Sequence, residues 1–181
     1  MSIPKDFRTI TKFNTQAIKR NGEYIGKNDY WKLYSVENLY RIIIHSILSV
    51  QISRPPKTDW WIYGTDVNIQ SRATNFKNNY IKKFIYTKPG VHEIYYIFLS
   101  DLNEIVRANI NLFYPIIKDI DKWIVKIEDI NLPRNVVAHM NFLNVTDHNR
   151  IDTIYCDMLA LFDSLFIKPS LPTPIPLNVP K

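Results

Sequence analysis

The stretch WKLYSVENLYRIIIHSILSV, residues 31–50, carries the strongest helix signal of the chain. Its apolar residues recur at the spacing of one helical face, and they are Trp31, Tyr34, Leu39, Ile43, Ile47 and Val50. Asp29 is placed to cap the start of this helix, and Pro55 and Pro56 end it because proline cannot continue the hydrogen-bond ladder. We therefore predict a helix over about residues 28–53.

Helical patterns also lie on both sides of this stretch. We predict further helices over about residues 4–20 and 66–86, from Ser100 or Asp101 onward, from Pro115 to about residue 127, and from Asp147 to about Ile167. The apolar side of the last helix consists of Ile151, Ile154, Tyr155, Met158, Leu161, Phe162 and Leu165. Several amphipathic helices with short connections indicate an all-α helical bundle of about five to seven helices.

The domain organisation is simple. A length of 181 residues with 46% hydrophobic and 22% charged residues suits one globular domain with a real core. We predict this domain over residues 1–167, with residues 1–27 as an N-terminal extension that the pattern does not place. Residues 168–181 form a Pro-rich tail, expected to be extended and polyproline-like, and more simply a packed or frayed end than a recognition motif.

Charge and cysteine content limit the classes of function. A net charge of +6 favours an acidic partner such as RNA, DNA or anionic lipid, although a merely soluble basic protein fits equally well. The single cysteine, Cys156, can form neither an internal disulfide nor a Cys-based zinc site. The chain shows no secretion signal, no membrane-length apolar run and no Gly-rich phosphate loop. We expect a cytoplasmic protein without a cofactor.

A second stretch, PRNVVAHMNF at residues 133–142, combines residues that can carry chemistry. Arg134 and His139 are five positions apart, about 140° around a regular helix, so they do not share a face, whereas Asn135 and His139 do. Pro133 fits a helix start. That would put Arg134 and Asn135 in a first turn, where free backbone N–H groups favour an anion.

This combination suits RNA cleavage. A histidine can take a proton from a 2′-hydroxyl or give one to a leaving oxygen, and an arginine fork can hold the phosphate. Because RNA supplies its own nucleophile, no metal is required. An arginine and a histidine at such a spacing also arise by chance in a chain with eight arginines and four histidines. A second copy across a symmetric interface could complete a pocket.

Other polar and aromatic residues have simpler interpretations. His45 lies on an apolar helix face and is predicted to be a core histidine, and Asp147 with His148 is predicted to cap a helix. His92 and His148 lack partners at metal-ligand spacing, so we assign no metal site. The aromatic segment that contains Trp60, Trp61 and Tyr63 is predicted as a loop. Its rings could stack RNA bases beside Arg54, Lys57 and Arg72, or they could belong to the core or a lid.

The motif has a known counterpart. RNVVAH resembles the R-N-x-x-x-H form of the R-x(4–6)-H motif of the HEPN superfamily. WKLYSVENLYRIIIHSIL is similar to the first long helix of these domains, in which polar residues, here Glu37, Asn38 and Arg41, interrupt an apolar face. IYYIFLSDLNEIVRANINLFYPII, residues 94–117, resembles a tyrosine-rich segment that precedes the motif in one branch of the superfamily. The resemblance covers roughly residues 30–167 in order and spacing.

The resemblance implies a fold and a function. HEPN domains are helical bundles, and many are metal-independent endoribonucleases whose motif residues meet at a homodimer interface and leave a 2′,3′-cyclic phosphate. Standalone members are often toxins or phage-defence effectors, sometimes neutralised by an antitoxin or another regulatory protein. In this chain His139 would be the acid and base, Arg134 the phosphate holder and Asn135 an orienting residue. Glu37, Asn38 and Arg41 would support them, and Val136 and Val137 replace a frequent aromatic.

Two non-catalytic alternatives stay open. The first is a HEPN-fold module that binds nucleotides or proteins, or only dimerises. The second is an adaptor or inhibitor from a mobile element that engages a host protein through its dimer or its Pro-rich tail.

Overall fold

The computed structural model describes residues 15–53, 56, 59–83 and 92–166, and all of its regular elements within these ranges are helical. A π-helix, Gly26–Tyr30, joins the first two α-helices, and a 3₁₀ helix, Glu93–Tyr96, precedes the fifth. The α-helices are α1 Thr15–Ile25, α2 Trp31–Gln51, α3 Trp60–Gly64, α4 Val67–Lys83, α5 Leu99–Ala108, α6 Ile110–Phe113, α7 Ile120–Ala138 and α8 Val145–Phe166. Six of them have ten residues or more, so the predicted all-α class with five to seven helices is confirmed.

Helix α2 lies at the centre of the bundle. It contacts α3, α5, α6 and α8, while α7 packs against α5 and α8. Its buried apolar residues recur every three or four positions, as expected for a helix that packs on several neighbours. They are Leu33, Val36, Tyr40, Ile43, Ile44, Ile47 and Leu48. Two residues that the pattern assigned to this side, Trp31 and Tyr34, are instead 40% and 53% exposed. Large aromatic rings can therefore mark an open surface as well as a core.

Helix α8 closes the bundle much as its periodicity predicts. Ile151, Ile154, Met158 and Leu165 are buried, and Tyr155, Leu161 and Phe162 pack against the core while partly exposed. The cap differs from the prediction. Asn144 Oδ1 accepts a hydrogen bond from the backbone N–H of Asp147 at 2.8 Å, and the Asn144 amide donates to Asp147 Oδ2 at 2.8 Å.

The prediction that Asp29 caps α2 is wrong. Asp29 is buried within the π-helix, and its Oδ1 lies 2.5 Å from Nδ1 of His148, in the first turn of α8. The residue before α2 is Tyr30, which already has helical dihedral angles and offers no capping side chain. The π-helix therefore continues directly into α2. The buried Asp29 carboxylate, which was predicted to cap α2, has His148 as its partner instead.

The predicted helix starts at Pro115 and Pro133 are also wrong. Pro115 lies in a turn, and α7 begins at Ile120 and runs through Pro133 to Ala138. Because proline has no backbone N–H, Pro133 cannot donate the helical hydrogen bond to the Asp129 carbonyl. Asp129 is exposed to solvent. Burial of Trp123, Ile124, Ile127, Ile130 and Val137 on one side holds the helix together across the proline. Arg134 and Asn135 therefore lie near the C-terminal end of α7, where the unpaired backbone groups are carbonyls and not N–H groups.

Other predictions differ less. The aromatic segment expected as a loop is the short helix α3, with Asp59 as its cap through a 2.9 Å bond from the Trp61 N–H. The segment before α5, for which no helix was predicted, is the 3₁₀ helix followed by Ile97 and Phe98 in extended conformation. The predicted first helix overlaps α1 only from Thr15, because residues 1–14 lie outside the described part, as do Ile167 and the tail at 168–181.

Candidate functional site: a cavity beside the Arg–His motif

Arg134 reaches across the bundle to the central helix. Arg134 lies near the C-terminal end of α7, and its Nε is 3.5 Å from Oε2 of Glu37, in the second turn of α2. Its Nη1 donates to Oδ1 of Asn135 at 3.4 Å, a long and weak hydrogen bond. The Arg134 side chain is 32% exposed, so part of the guanidinium remains open to a ligand.

Glu37 is shared between two arginines. Its Oε1 accepts a hydrogen bond from Arg41 Nη2 at 2.5 Å, while its Oε2 faces Arg134. Arg41 is buried, and it also donates from Nε to the Ile94 carbonyl and from Nη2 to the Ile97 carbonyl, both at 3.0 Å. A buried charge needs such partners to offset its desolvation. Two cations against one carboxylate leave one net positive charge at this place.

Asn38, the third polar residue of α2 in this region, plays a local role. Its Nδ2 donates to the Tyr34 carbonyl at 2.8 Å within the same helix, and its side chain is buried. It lines the cavity described below, but no hydrogen bond joins it to Arg134 or His139. Asn38 therefore shapes the wall of the cavity, whereas Glu37 contacts the motif arginine directly.

These residues line a cavity of about 580 Å³ between α2, the 3₁₀ helix and the end of α7. Its polar wall contains Glu37, Asn38, Arg41 and Arg134, and its aromatic wall contains Tyr30, Tyr34 and Tyr95. The three tyrosines were not predicted as site residues. The tyrosine-rich segment EIYYIF was the available signal for Tyr95, but its periodicity could not show which ring faces the cavity.

His139 lies outside this cavity. It is the residue after the last turn of α7, and its backbone N–H donates to the Asn135 carbonyl at 3.0 Å. Its side chain is exposed and makes no hydrogen bond to the described residues. Met140 follows with a left-handed φ of 59°, which ends the helix and turns the chain away. The chain thus presents Arg134 in a cavity and His139 on the neighbouring surface.

An apolar surface adjoins the motif. A second depression of about 620 Å³ lies between α1 and the end of α7, and it shares Tyr30, Val137 and Met140 with the cavity. Ile18, Met140 and Phe142 line it and are exposed, Met140 by 79%. The Tyr24 ring lies 6.5 Å from that of Phe142. Contiguous exposed apolar side chains of this kind usually mark an interaction surface.

The predicted base-stacking surface is not assembled at this cavity. Trp60 and Trp61 are buried, so their faces are not open to a base in this structure, while Tyr63 is 52% exposed. Arg72 donates to Asp101 Oδ1 at 2.5 Å and lies 3.8 Å from Glu104, on the α4–α5 side of the bundle. Arg54 and Lys57 lie outside the described residues.

His45 and His92 form an aromatic cluster with the buried Trp60 and Trp61, but both histidines are only partly buried. His45 has a hydrogen-bond partner, as predicted, but it lies at the edge of the core and not inside it. Trp60 Nε1 donates to His45 Nδ1 at 3.0 Å, and the His92 ring stacks on Trp60 with centroids 5.3 Å apart. Burial, reinforced by His92, lowers the pKa of His45 to about 4, and burial also lowers the pKa of His92. Both rings are therefore neutral near pH 7. Within the described ranges, no group of three or more His, Cys, Asp or Glu side chains could hold a metal ion.

Comparison of the chain with protein-family models, with curated proteins and with solved structures gives no match. The resemblance to the HEPN superfamily therefore rests on the motif residues and on the order of the segments around them. None of the helices in the described part of the chain is long and apolar enough to cross a bilayer.

Proposed function

We propose that this protein is a metal-independent endoribonuclease of the HEPN type that acts as a homodimer. The proposal is carried by the contact between Arg134 and Glu37 at the cavity. If the spacing of Arg134 and His139 were a coincidence, a contact between Arg134 and Glu37, one of the polar residues that interrupt the apolar face of α2, would not be expected. Here Glu37 and Arg41 line the cavity together with Arg134, as the resemblance implies for an active site of the HEPN type.

The proposed reaction needs only the RNA and the motif. The 2′-oxygen attacks the adjacent phosphorus and forms a new O–P bond, while a histidine takes the 2′ proton. The bond from phosphorus to the 5′-oxygen breaks, and a protonated imidazole gives that oxygen its proton. Arg134 holds the phosphate and stabilises the additional negative charge of the transition state. The products are a 2′,3′-cyclic phosphate and a 5′-hydroxyl.

Dimerisation accounts for the separation of the two motif residues. His139 lies outside the cavity of its own protomer, next to the apolar surface around Met140 and Phe142. Burying that surface against a second copy would stabilise an interface with two-fold symmetry and would bring each His139 towards the opposite Arg134. The composite site would then contain an arginine from one copy and a histidine from the other.

The biological setting follows from the resemblance. A standalone HEPN ribonuclease would act as a toxin or phage-defence effector, and the exposed end of α7 is a place where an antitoxin or another regulatory protein could block the site. The net charge of +6 suits an RNA substrate. Growth arrest on expression, abolished by Arg134→Ala or His139→Ala, would support this role.

The second candidate is a non-catalytic binding module of the same fold. The observation that favours it is the position of His139, which is exposed and makes no hydrogen bond to the described residues. In that case the cavity would bind a nucleotide through Arg134 without cleaving RNA.

The deciding experiment compares four proteins on total RNA and tRNA in EDTA. These are the wild type, Arg134→Ala, His139→Ala and the control Arg150→Ala, which removes an arginine paired with Asp147 away from the cavity. We expect cleavage with cyclic-phosphate ends by the wild type and the control only. Equal cleavage by wild type and His139→Ala would overturn the proposal, and no cleavage with tight nucleotide binding would favour the binding module.

A further inference from the structure

We propose that the ring of Tyr34 is a stacking platform for one unpaired base of single-stranded RNA, positioned so that Arg134 holds the phosphate of the same nucleotide. The base is held by contact between ring faces and not by a hydrogen bond to its edge. This inference rests on the proposed function in taking RNA as the ligand, but it concerns binding and not cleavage.

The first observation is the accessibility of the Tyr34 ring. Tyr34 lies at the end of the first turn of α2, lines the cavity and is more than half exposed. Trp31, the exposed ring one turn earlier, packs edge-on against Tyr155 with centroids 4.9 Å apart, whereas no described ring lies against Tyr34. Exposed aromatic faces are the usual platform for unstacked RNA bases. The Tyr34 ring is therefore open to a base that enters the cavity.

The second observation is the position of Tyr34 relative to Arg134. Tyr34, Glu37 and Arg41 are three and then four residues apart on α2, so they share the face that lines the cavity. The Cα atoms of Tyr34 and Glu37 are about 4.5 Å apart along the helix axis. Nε of Arg134 lies 3.5 Å from Oε2 of Glu37. Because a base and its phosphate are joined through one sugar, a single nucleotide can contact both Tyr34 and Arg134.

The third observation is the support behind the platform. Asn38 Nδ2 donates to the Tyr34 carbonyl at 2.8 Å, within the central helix of the bundle. Arg41 fixes the 3₁₀ helix, which forms another part of the wall, through the carbonyls of Ile94 and Ile97. The wall is therefore ordered before a ligand binds, which lowers the entropy cost of binding.

The size and charge of the cavity suit one nucleotide. A volume of about 580 Å³ lies within the ordinary range for small-molecule pockets. One net positive charge, from Arg41 and Arg134 against Glu37, suits one phosphate. Tyr30 also lines the apolar surface that the proposed dimer would cover, whereas Tyr34 lines the cavity alone. Tyr34 is therefore the ring that stays available to RNA in the dimer.

The test measures binding, independently of cleavage. Adenosine 5′-monophosphate and ribose 5-phosphate, which differ in the base and contain no phosphodiester bond, are titrated by calorimetry into each protein. Besides the wild type, the proteins are Tyr34→Leu, which loses the ring but keeps an apolar side chain, Tyr34→Phe, which keeps the ring, and Arg134→Ala. The matched control is Tyr63→Leu, which replaces a similarly exposed tyrosine of α3 outside the cavity.

We expect the wild type, Tyr34→Phe and the control to bind adenosine 5′-monophosphate at least about 5-fold more tightly than ribose 5-phosphate, the lower end for one base stacked on one ring. Tyr34→Leu should bind the two ligands equally and keep the wild-type affinity for ribose 5-phosphate. Arg134→Ala should weaken the binding of both ligands by about 10-fold or more, because it removes the charged contact to the phosphate.

The outcomes separate this inference from the proposed function. A base-dependent gain that persists in Tyr34→Leu, or that is absent from the wild type, would overturn the platform even if the wild type cleaves RNA and His139→Ala does not. Loss of the gain in Tyr34→Phe, or unchanged binding of ribose 5-phosphate by Arg134→Ala, would also overturn it. A Tyr34-dependent gain without any RNA cleavage would support the platform and count against the ribonuclease. Circular dichroism of each variant shows that the bundle is retained, as expected for substitutions at exposed positions.

Discussion

Arg134 of α7 and Glu37 of α2 face each other at the cavity, with Nε and Oε2 3.5 Å apart, although α3, α4, α5 and α6 lie between the two helices in the chain. The other oxygen of Glu37 accepts from the buried Arg41. The Glu37 carboxylate therefore orients the partly exposed Arg134 and also accepts a hydrogen bond from the buried Arg41. Loss of its charge should affect both the stability of the bundle and the binding of phosphate.

We expect Glu37→Gln to lower the free energy of unfolding by about 2 kcal/mol, because Arg41 would remain buried without its carboxylate. Urea denaturation measures this change. The matched control is Glu128→Gln, which alters a half-exposed pair with Arg107 and should cost about 0.5 kcal/mol or less. Equal effects of the two variants would mean that the Glu37 network contributes no more than a surface ion pair.

Mixing two inactive variants tests whether the site is shared between protomers. In a one-to-one mixture of Arg134→Ala and His139→Ala, half of the dimers are mixed, and each mixed dimer has one intact composite site. We expect the mixture to recover roughly a quarter of wild-type cleavage if protomers exchange freely. Each variant alone is the control. A mixture as inactive as its components, under conditions where exchange is shown, would place both residues of a site in one copy.

The two buried tyrosine hydroxyls should respond differently to removal. Tyr40→Phe leaves Asn103 Oδ1 without its donor and should cost about 1 kcal/mol, whereas Tyr95→Phe removes an unpaired group and should be neutral or slightly stabilising. Thermal unfolding of both variants at one pH measures the difference. A loss of stability for Tyr95→Phe as large as that for Tyr40→Phe would show that its hydroxyl already has a structural partner, such as water.

The neutral histidine in the aromatic cluster predicts a stability loss in mild acid. Because the folded pKa of His45 is about 4, below the ordinary 6.5, the unfolded chain takes up a proton first as the pH falls. Stability is unaffected by this group above about pH 7 and declines as the pH falls from about 6.5 to 4. Since His45 is partly exposed, we expect a loss of roughly 2 kcal/mol and not the full value of the shift.

Urea midpoints between pH 7 and pH 4 provide the measurement for this prediction. The comparison is His45→Asn, whose side-chain oxygen can accept from Trp60 Nε1 but does not titrate. The variant should show a shallower decline, and the remaining slope should include His92, whose pKa is lowered as well. Parallel curves for wild type and variant would contradict the assignment to His45.

Local periodicity predicted much of the fold and part of the site. The helices α2, α4 and α8 appear near their predicted bounds, since an apolar stripe every three or four residues is a property of neighbouring residues. Capping and helix starts were less predictable. The local sequence suggests that Asp29 caps a helix, but in the structure its carboxylate pairs with His148. The local sequence also suggests that Pro133 starts a helix, but in the structure it continues the helix on which Trp123, Ile127 and Ile130 are buried.

The sequence by itself determined an all-α chain with a net positive charge and an Arg–His motif near its last helix. Only the tertiary structure decided that Arg134 lies near the end of α7 against Glu37, that His139 lies outside the cavity, and that the Tyr95 hydroxyl is buried without a partner among the described residues. The physical reason is the range of the interactions. Helix formation depends on residues three or four positions apart, whereas a cavity is made by side chains from helices that are distant in sequence and meet only when the core packs.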